Sequence, residues 1–233
     1  MPVQPRMPDA AVTIPEARAR TVFYLHGFAS SDKSTKATYL ADRLRGHGLP
    51  LRRPDFNLPD FASLTMTRIL NQLASETAQP HERGITLIGS SLGGTLAVLA
   101  ASRLADRIDR LVLLAPAVMF AKDGHHLLPP ERIEEWRRKG AIFFFHYGHN
   151  EERLLDFAFY EDTVRYDAFE ADFSQPTLIF QGVRDTSVDH RTVERFARTR
   201  PNVTLSLLDD DHQLTASLPR IWNDVEAFLG LIE

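Results

Sequence analysis

The sequence predicts an α/β fold in which a mostly parallel central sheet carries helices on both faces. Two features of the 233 residues support this prediction. Short apolar runs alternate with amphipathic stretches along most of the chain, which is typical of βαβ units. Four of these runs are apolar almost throughout, as strands covered by helices on both faces must be.

The apolar runs and the spacing between them predict the elements in order. The strands are expected at residues 22–25, 85–88, 111–115, 178–180 and 203–208, with a weaker one at 51–55. Apolar residues recur at i, i+3, i+4 and i+7 in residues 36–45, and the same spacing predicts helices over 64–78 and 92–104. Asp189 is a predicted cap of a helix that ends at Pro201, and Ser217 with Pro219 opens the last helix.

Residues 118–172, which we call the inserted segment, interrupt this alternation. They contain two predicted helices, at 130–139 and 151–165, and seven of the fifteen phenylalanines lie between residues 143 and 173. An excursion of this length is too long for a plain crossover loop, so we expect a short cap over the strand ends. Its aromatic residues either pack the cap or line an apolar acyl or aryl pocket. Candidate pocket residues are Ala29, Phe143, Phe144, Tyr147, Phe157 and Tyr160.

Composition excludes several classes of protein. The chain has no cysteine, which excludes disulfides, thiolate metal sites and cysteine nucleophiles. A net charge of 27 − 31 = −4 without a basic block argues against nucleic acid as a partner. No apolar run is long enough to span a membrane, and the proline-rich start does not match a secretory signal.

We therefore expect a cytoplasmic protein without a cofactor or a metal. It would comprise an extended lead-in over residues 1–20 and a single domain over 21–233. The spacing of His146 and His149 is only a weak metal signal without acidic partners. The sequence leaves the oligomeric state open.

A candidate nucleophile lies between the second strong strand and the helix that follows it. Gly89-Ser-Ser91-Leu-Gly93 matches the pattern GxSxG with Ser91 at its centre. In a strand–turn–helix context this pattern predicts a sharp turn that exposes the serine hydroxyl above the sheet. Two alternatives are that the serines merely cap the helix, or that the adjacent Ser90 is the nucleophile.

A serine nucleophile needs a base, and the base needs an orienting acid. When a strand–turn–helix serine comes first in such a set, the acid and then the histidine follow it along the chain, and this order points to Asp185 and His212. Each lies in a loop directly after a predicted strand. Asp189 is the rival acid, although a helix cap explains it better. The alternative for His212 is a surface histidine beside three aspartates.

An oxyanion formed during acyl transfer needs two preorganised donors. The backbone N–H of Leu92 directly follows the candidate nucleophile and is the first expected donor. The second is expected in the loop after the first strand, where Phe28 N–H is preferred to Ala29 N–H. In that loop His26 is expected to brace the backbone, and Lys36 is expected at an exposed helix start.

These motifs together resemble the α/β-hydrolase superfamily. The segment from Phe23 to Ser31 is similar to small bacterial serine esterases of the YqiA type, and the serine turn also looks like that of acyl-protein thioesterases and acyl-glucuronide deacylases. The resemblance covers about residues 21–230. The two strands that usually open this fold are missing or reduced to residues 12–14, and the cap is short.

The resemblance implies a serine hydrolase that cleaves small-molecule carboxylic esters or thioesters of short to medium acyl or aryl acids through an acyl-enzyme. The serine at the turn argues against dehalogenases and epoxide hydrolases, which carry aspartate there. An acyl-protein or acyl-CoA thioesterase is one alternative. A non-catalytic binding protein on the same fold is another, because fold alone does not fix function.

Overall fold

A computed structural model describes residues 20–78, 84–122 and 124–232. The predicted lead-in falls almost entirely outside these residues, and so does the reduced strand proposed at 12–14. No helix in the described ranges has both the length and the apolar character needed to cross a membrane.

The described residues form eight strands and seven helices. The strands are β1 (Thr21–Leu25), β2 (Leu51–Arg52), β3 (Ile85–Ser90), β4 (Ile108–Leu114), β5 (Ala141–His146), β6 (Glu151–Asp156), β7 (Thr177–Gly182) and β8 (Val203–Leu208). The helices are α1 (Thr35–Gly46), α2 (Met66–Glu76), α3 (Leu92–Arg103), α4 (Pro130–Lys139), α5 (Ala158–Thr163), α6 (His190–Arg198) and α7 (Leu218–Phe228).

Six strands form a parallel sheet in the order β2-β1-β3-β4-β7-β8. Successive side chains of β1 point to opposite faces, so Phe23 and Leu25 join one apolar core while Val22 and Tyr24 join the other. Helices α1 and α7 cover the second core, and α2, α3 and α6 cover the first. The predicted α/β architecture with helices on both faces is confirmed.

Most predicted elements are present with small shifts at their ends. The predicted strand at 111–115 begins three residues earlier, at Ile108, and the weak strand at 51–55 contains only Leu51 and Arg52 before the chain reaches Pro54. Helix α4 has the predicted bounds. Because all six sheet strands are parallel, their carboxyl ends meet at one edge, and the loops that carry the candidate residues gather there.

The prediction of a second helix in the inserted segment, at 151–165, is wrong for the first half of that range. Residues 151–156 form β6, which pairs antiparallel with β5, and only Ala158–Thr163 is helical. Asn150 adopts a positive φ of 55° in the turn that joins the two strands. Pairing with the aromatic strand β5 therefore overrides the helical preference of the Glu-Glu-Arg-Leu-Leu run.

Candidate active site

Ser91 lies in a strained turn between β3 and α3. Its φ of 54° and ψ of −117° are rare for a residue with a side chain. Two backbone hydrogen bonds hold the turn, from Ser91 N–H to Leu114 O at 3.0 Å and from Ala117 N–H to Ser91 O at 3.1 Å. The surrounding backbone thus fixes the serine at the carboxyl edge of the sheet.

The glycines around Ser91 are required by close backbone approach. A Cβ on Gly93 would overlap the carbonyl oxygen of Leu25, and a Cβ on Gly89 would overlap the carbonyl of Gly93. A Cβ on Gly27 would lie 3.3 Å from Ser91 Cβ. The loop after β1 and the serine turn are therefore packed directly against each other.

Asp185 and His212 meet at the ends of β7 and β8. His212 Nδ1 lies 2.7 Å from Asp185 Oδ2. Gly182, the last residue of β7, allows this meeting because a Cβ there would overlap the carbonyl oxygen of Asp210 in the loop that carries the histidine. The carboxylate accepts the Nδ1–H, so the lone pair of the neutral imidazole is on Nε2.

The Asp185 carboxylate is buried and accepts four hydrogen bonds. One oxygen binds the N–H groups of Ser187 and Val188, each at 2.8 Å, and the other binds His212 and Gln181 Nε2, the latter at 2.9 Å. Burial alone would raise the pKa of Asp185. The hydrogen bonds from His212 and the two backbone groups outweigh burial and hold that pKa below its usual value.

Ser91 and His212 line the same cavity, which has a volume of about 1130 Å³. No direct hydrogen bond joins the two side chains, both of which belong to the part of the chain that the structure describes. Catalytic hydrogen bonds are often long in ligand-free sites and shorten when substrate binds. The structure thus brings Ser91 to the same cavity as the Asp185–His212 pair.

The expected oxyanion donors lie beside Ser91. Leu92 is the first residue of α3, so its N–H has no partner within the helix. Phe28 and Ala29 form the turn after β1, closed by Ser30 N–H donating to Gly27 O at 3.3 Å, and Ala29 has a φ of 51°. Among the described residues, neither Phe28 N–H nor Ala29 N–H has a hydrogen-bond acceptor. Both therefore remain available as the second donor.

Lys36 corrects one expectation, because it is buried rather than exposed at its helix start. Only 7% of its surface is accessible, and its Nζ donates to the carbonyl oxygen of His212 at 3.2 Å. Burial lowers the pKa of this amine to about 8, although the nearby Asp185 acts to raise it. The helix start is thus tied to the loop that carries the histidine.

The cavity has one apolar wall and one polar wall. The apolar wall contains Met119, Phe120, Leu127, Leu128 and Phe144, and the polar wall contains Ser30, Ser31, Lys33, Ser34 and Lys36. Phe28 packs on the apolar wall, with its ring centroid 5.3 Å from that of Phe144. Apolar substrate groups are therefore best accommodated on the side of the inserted segment.

Three of the six candidate pocket residues line this cavity: Ala29, Phe144 and Tyr147. Phe143 does not line it and is 59% exposed on β5. Phe157 is buried against Trp136, with ring centroids 5.6 Å apart. Tyr160 lines a smaller neighbouring cavity of about 460 Å³. For these three residues the prediction that they line the larger cavity is wrong.

The rival residues have other hydrogen-bond partners. Ser90, the last residue of β3, also lines the larger cavity, but it is buried and hydrogen-bonded to the Tyr24 hydroxyl. The Asp189 carboxylate caps α6 by accepting from Arg191 N–H at 2.9 Å. In the described segments, no three His, Cys, Asp or Glu side chains come together in an arrangement that could hold a metal ion.

Sequence reasoning missed the polar residues that support the site. Gln181 and Lys36 contact the acid and the histidine loop, and Asn57 contacts the loop after β1. Of the three, only Gln181 carried a signal, as a polar residue inside an apolar strand. Asn57 lies in a Pro-Asp-Phe-Asn-Leu-Pro loop, where an ordinary turn explains it equally well.

A protein family and a sequence relative each match most of this chain. The family described as "Uncharacterised protein family (UPF0227)" matches residues 21–229. A Mycoplasma pneumoniae protein named "Putative esterase/lipase 2" is 25% identical over 227 residues, which cover 84% of this chain and 82% of that protein.

Solved structures resemble the chain over most of its length. Est1E from Butyrivibrio proteoclasticus, solved with ferulic acid bound, matches with a TM-score of 0.78 at 22% identity, over 93% of this chain and 90% of that one. The mouse alpha/beta hydrolase domain-containing protein 10 matches with a TM-score of 0.71 at 19% identity, over 91% and 90% of the two chains. Likeness at this level of identity concerns the fold.

Proposed function

Because the chain belongs to the uncharacterised protein family UPF0227 and has the α/β-hydrolase fold, we propose that it is a serine hydrolase cleaving carboxylic esters. One observation carries the proposal. A serine in a strained strand–helix turn and an aspartate–histidine pair separated by 2.7 Å line one cavity. These are the parts that nucleophilic acyl transfer requires.

The proposed reaction forms an acyl-enzyme on Ser91. The Ser91 hydroxyl attacks the ester carbonyl while His212 Nε2 takes its proton, and Asp185 holds the imidazole in the tautomer this transfer needs. His212 then donates the proton to the leaving alcohol. A water molecule, activated by the same histidine, releases the acid and restores the serine.

The oxyanion of each tetrahedral intermediate accepts hydrogen bonds from Leu92 N–H and from Phe28 N–H or Ala29 N–H. These donors contribute to the rate because they bind charge that develops only in the transition state. The positive end of α3 adds to this stabilisation, because its N-terminus begins at Leu92.

The substrates we propose are small-molecule esters with a short to medium acyl or aryl group. The apolar wall that includes Phe120 and Phe144 would hold this group beside Phe28. Est1E, a fold neighbour, was solved with ferulic acid bound, which is an aromatic acid. An aryl preference in this chain is therefore part of the substrate series to be tested.

The test is hydrolysis of p-nitrophenyl esters by the wild type and two adjacent serine variants. Ser91→Ala is expected to lower kcat by roughly 10⁴ to 10⁶-fold, because the nucleophile is removed. Ser90→Ala is the matched control, since it removes the neighbouring buried hydroxyl, which is bonded to Tyr24, and its kcat should stay within about tenfold of wild type. Most activity remaining in a folded Ser91→Ala variant would contradict the proposal.

A further inference from the structure

The loop that supplies the second oxyanion donor is held through its carbonyl groups. In residues 27–30, Gly27 O accepts from His26 Nδ1 at 2.9 Å and Ala29 O accepts from Gly148 N–H at 3.4 Å. Ser30 O accepts from Asn57 Nδ2 at 2.9 Å. The peptide plane of Gly27 O also carries Phe28 N–H, so the His26 contact orients that donor directly, whereas the contacts to Ala29 O and Ser30 O anchor the end of the loop.

Among the groups that bind these carbonyls, Asn57 is held by hydrogen bonds at both the nitrogen and the oxygen of its side-chain amide. It is 5% exposed, and its amide nitrogen donates to Ser30 O and to Asp55 Oδ1, the latter at 2.8 Å. Its amide oxygen accepts from His146 Nε2 at 3.0 Å. With two acceptors facing the nitrogen and a donor facing the oxygen, the amide has one favourable orientation.

This network joins the loop after β1 to the hairpin of the inserted segment. His146 is the last residue of β5 and is fully buried. Two residues later, a Cβ on Gly148 would lie 2.8 Å from Ser31 Cβ, so the hairpin turn packs directly on the loop. The hairpin therefore contacts the loop both directly and through Asn57.

We propose that Asn57 is a positioning residue that, held by His146, fixes the loop at 27–30 so that its free N–H groups meet the oxyanion. This inference rests on the proposed esterase function. Asn57 does not touch the reacting atoms and acts by anchoring the end of the loop at Ser30 O. Misplacing an oxyanion donor weakens a contact made in the transition state, so kcat falls while KM changes little.

The experiment compares a carboxylic ester with its thionoester, in which sulfur replaces the carbonyl oxygen. N–H donors stabilise a compact oxyanion more than a larger sulfur anion, so a displaced donor slows the ester more than the thionoester. Damage to the serine, the histidine or the fold slows both substrates by the same factor. The ratio of the two kcat values therefore reports on the oxyanion donors.

Two variants of Asn57 and one matched control are measured. Asn57→Ala removes the amide, and Asn57→Asp keeps the size and the acceptor for His146 but removes the donor to Ser30 O. Each should lower the ester kcat by about 10 to 100-fold, leave KM within about threefold, and lower the ester-to-thionoester ratio about fivefold or more.

The control is Asn202→Ala. Asn202 Nδ2 also donates to two backbone carbonyls, those of Phe173 and Gln175, at the opposite edge of the sheet. The Asn202→Ala variant should keep the wild-type ratio of ester kcat to thionoester kcat.

An unchanged ratio in a folded Asn57→Asp variant would overturn the inference, as would the same fall in Asn202→Ala. Circular dichroism and urea unfolding identify which variants are folded. A wild type that hydrolyses no ester overturns the proposed function and this inference with it. An active wild type with an unchanged ratio in the Asn57 variants overturns this inference alone.

Discussion

The carboxyl edge of the sheet and the inserted segment form the same cavity but are built differently. At the sheet edge, Ser91 has a strained backbone, Gly93 leaves no room for a side chain, and Asp185 accepts four hydrogen bonds. In the inserted segment, Phe143 and Tyr147 are 59% and 76% exposed. The first region has one permitted arrangement, whereas exposed side chains such as these two in the second region can change without disturbing the core.

This difference suggests how the two regions divide their roles. Groups that transfer protons must be held within a fraction of an ångström, and a rigid sheet edge provides that precision. Groups that only contact an acyl chain tolerate variation. On this account, changes at the sheet edge alter kcat by orders of magnitude, and changes in the inserted segment alter substrate preference by smaller factors.

After Ser91→Ala, the largest effect in the rigid region is expected from Asp185→Asn. The amide cannot hold His212 in the required tautomer, so kcat should fall on the order of 10⁴-fold while KM stays within a few-fold. Steady-state kinetics with one p-nitrophenyl ester measure both constants. Asp189→Ala is the control, because Asp189 caps α6. A wild-type kcat in Asp185→Asn together with an inactive Asp189→Ala would move the role to Asp189.

A smaller effect is expected where the inserted segment meets the acyl chain. Each CH₂ buried contributes about 0.8 kcal/mol, so kcat/KM should rise up to about fourfold per added carbon until the apolar wall is filled. Phe144→Ala should move the optimum to longer chains because it enlarges the cavity. The neighbouring Phe143→Ala should not, since Phe143 does not line the cavity.

The readout is kcat/KM across p-nitrophenyl esters from acetate to decanoate. A profile that is flat in the wild type would reject the inserted segment as the determinant of chain length. Its aromatic residues would then serve packing alone. A shift of the optimum in Phe143→Ala equal to that in Phe144→Ala would contradict the assignment of the apolar wall.

The smallest expected effect is a change in stability with pH at the contact between the two regions. Burial, followed by the charges of His149 and Arg153, lowers the pKa of His146 to about 4. The unfolded chain binds this proton near pH 6.5, so stability present above pH 6.5 is lost as the pH falls toward 4. The folded protein therefore keeps His146 neutral above about pH 4. The neutral ring can still donate Nε2–H to the Asn57 amide oxygen.

Urea unfolding at pH 7 and pH 4.5 measures this loss. The wild type should lose roughly 2 kcal/mol more of its free energy of unfolding than His146→Gln, which cannot titrate. Glutamine retains an N–H donor for Asn57, so the comparison isolates the titration of the ring. Equal losses in the two proteins would show that His146 does not titrate between these pH values.

The same division explains what the sequence could predict. Strand and helix periodicity, and a glycine pattern that backbone contacts require, located the sheet and the serine turn. Asp185 and His212 follow from chain order, because each comes directly after a strand of a parallel sheet. These signals are local, and each can be read from a few neighbouring residues.

The contacts of the inserted segment are not local. The prediction for residues 151–156 failed because pairing with β5, several residues away, decides their structure. Phe143 and Phe144 are adjacent in the sequence, yet of the two only Phe144 lines the cavity. Phe145 lies on the same face of β5 as Phe143 and also lines it, so strand alternation does not decide the lining. Asn57 and His146 are 89 residues apart, so no local pattern could connect them.

The most direct test of the central claim, that Ser91 is the nucleophile of an esterase site, is the site of covalent labelling by an organophosphonate. Intact-mass measurement should show one adduct per wild-type chain, and peptide mapping should place it on Ser91. Ser91→Ala should take up none, while Ser90→Ala should be labelled at the wild-type rate. An adduct on Ser90 or another residue, or ester hydrolysis that survives without an adduct on Ser91, would contradict the account.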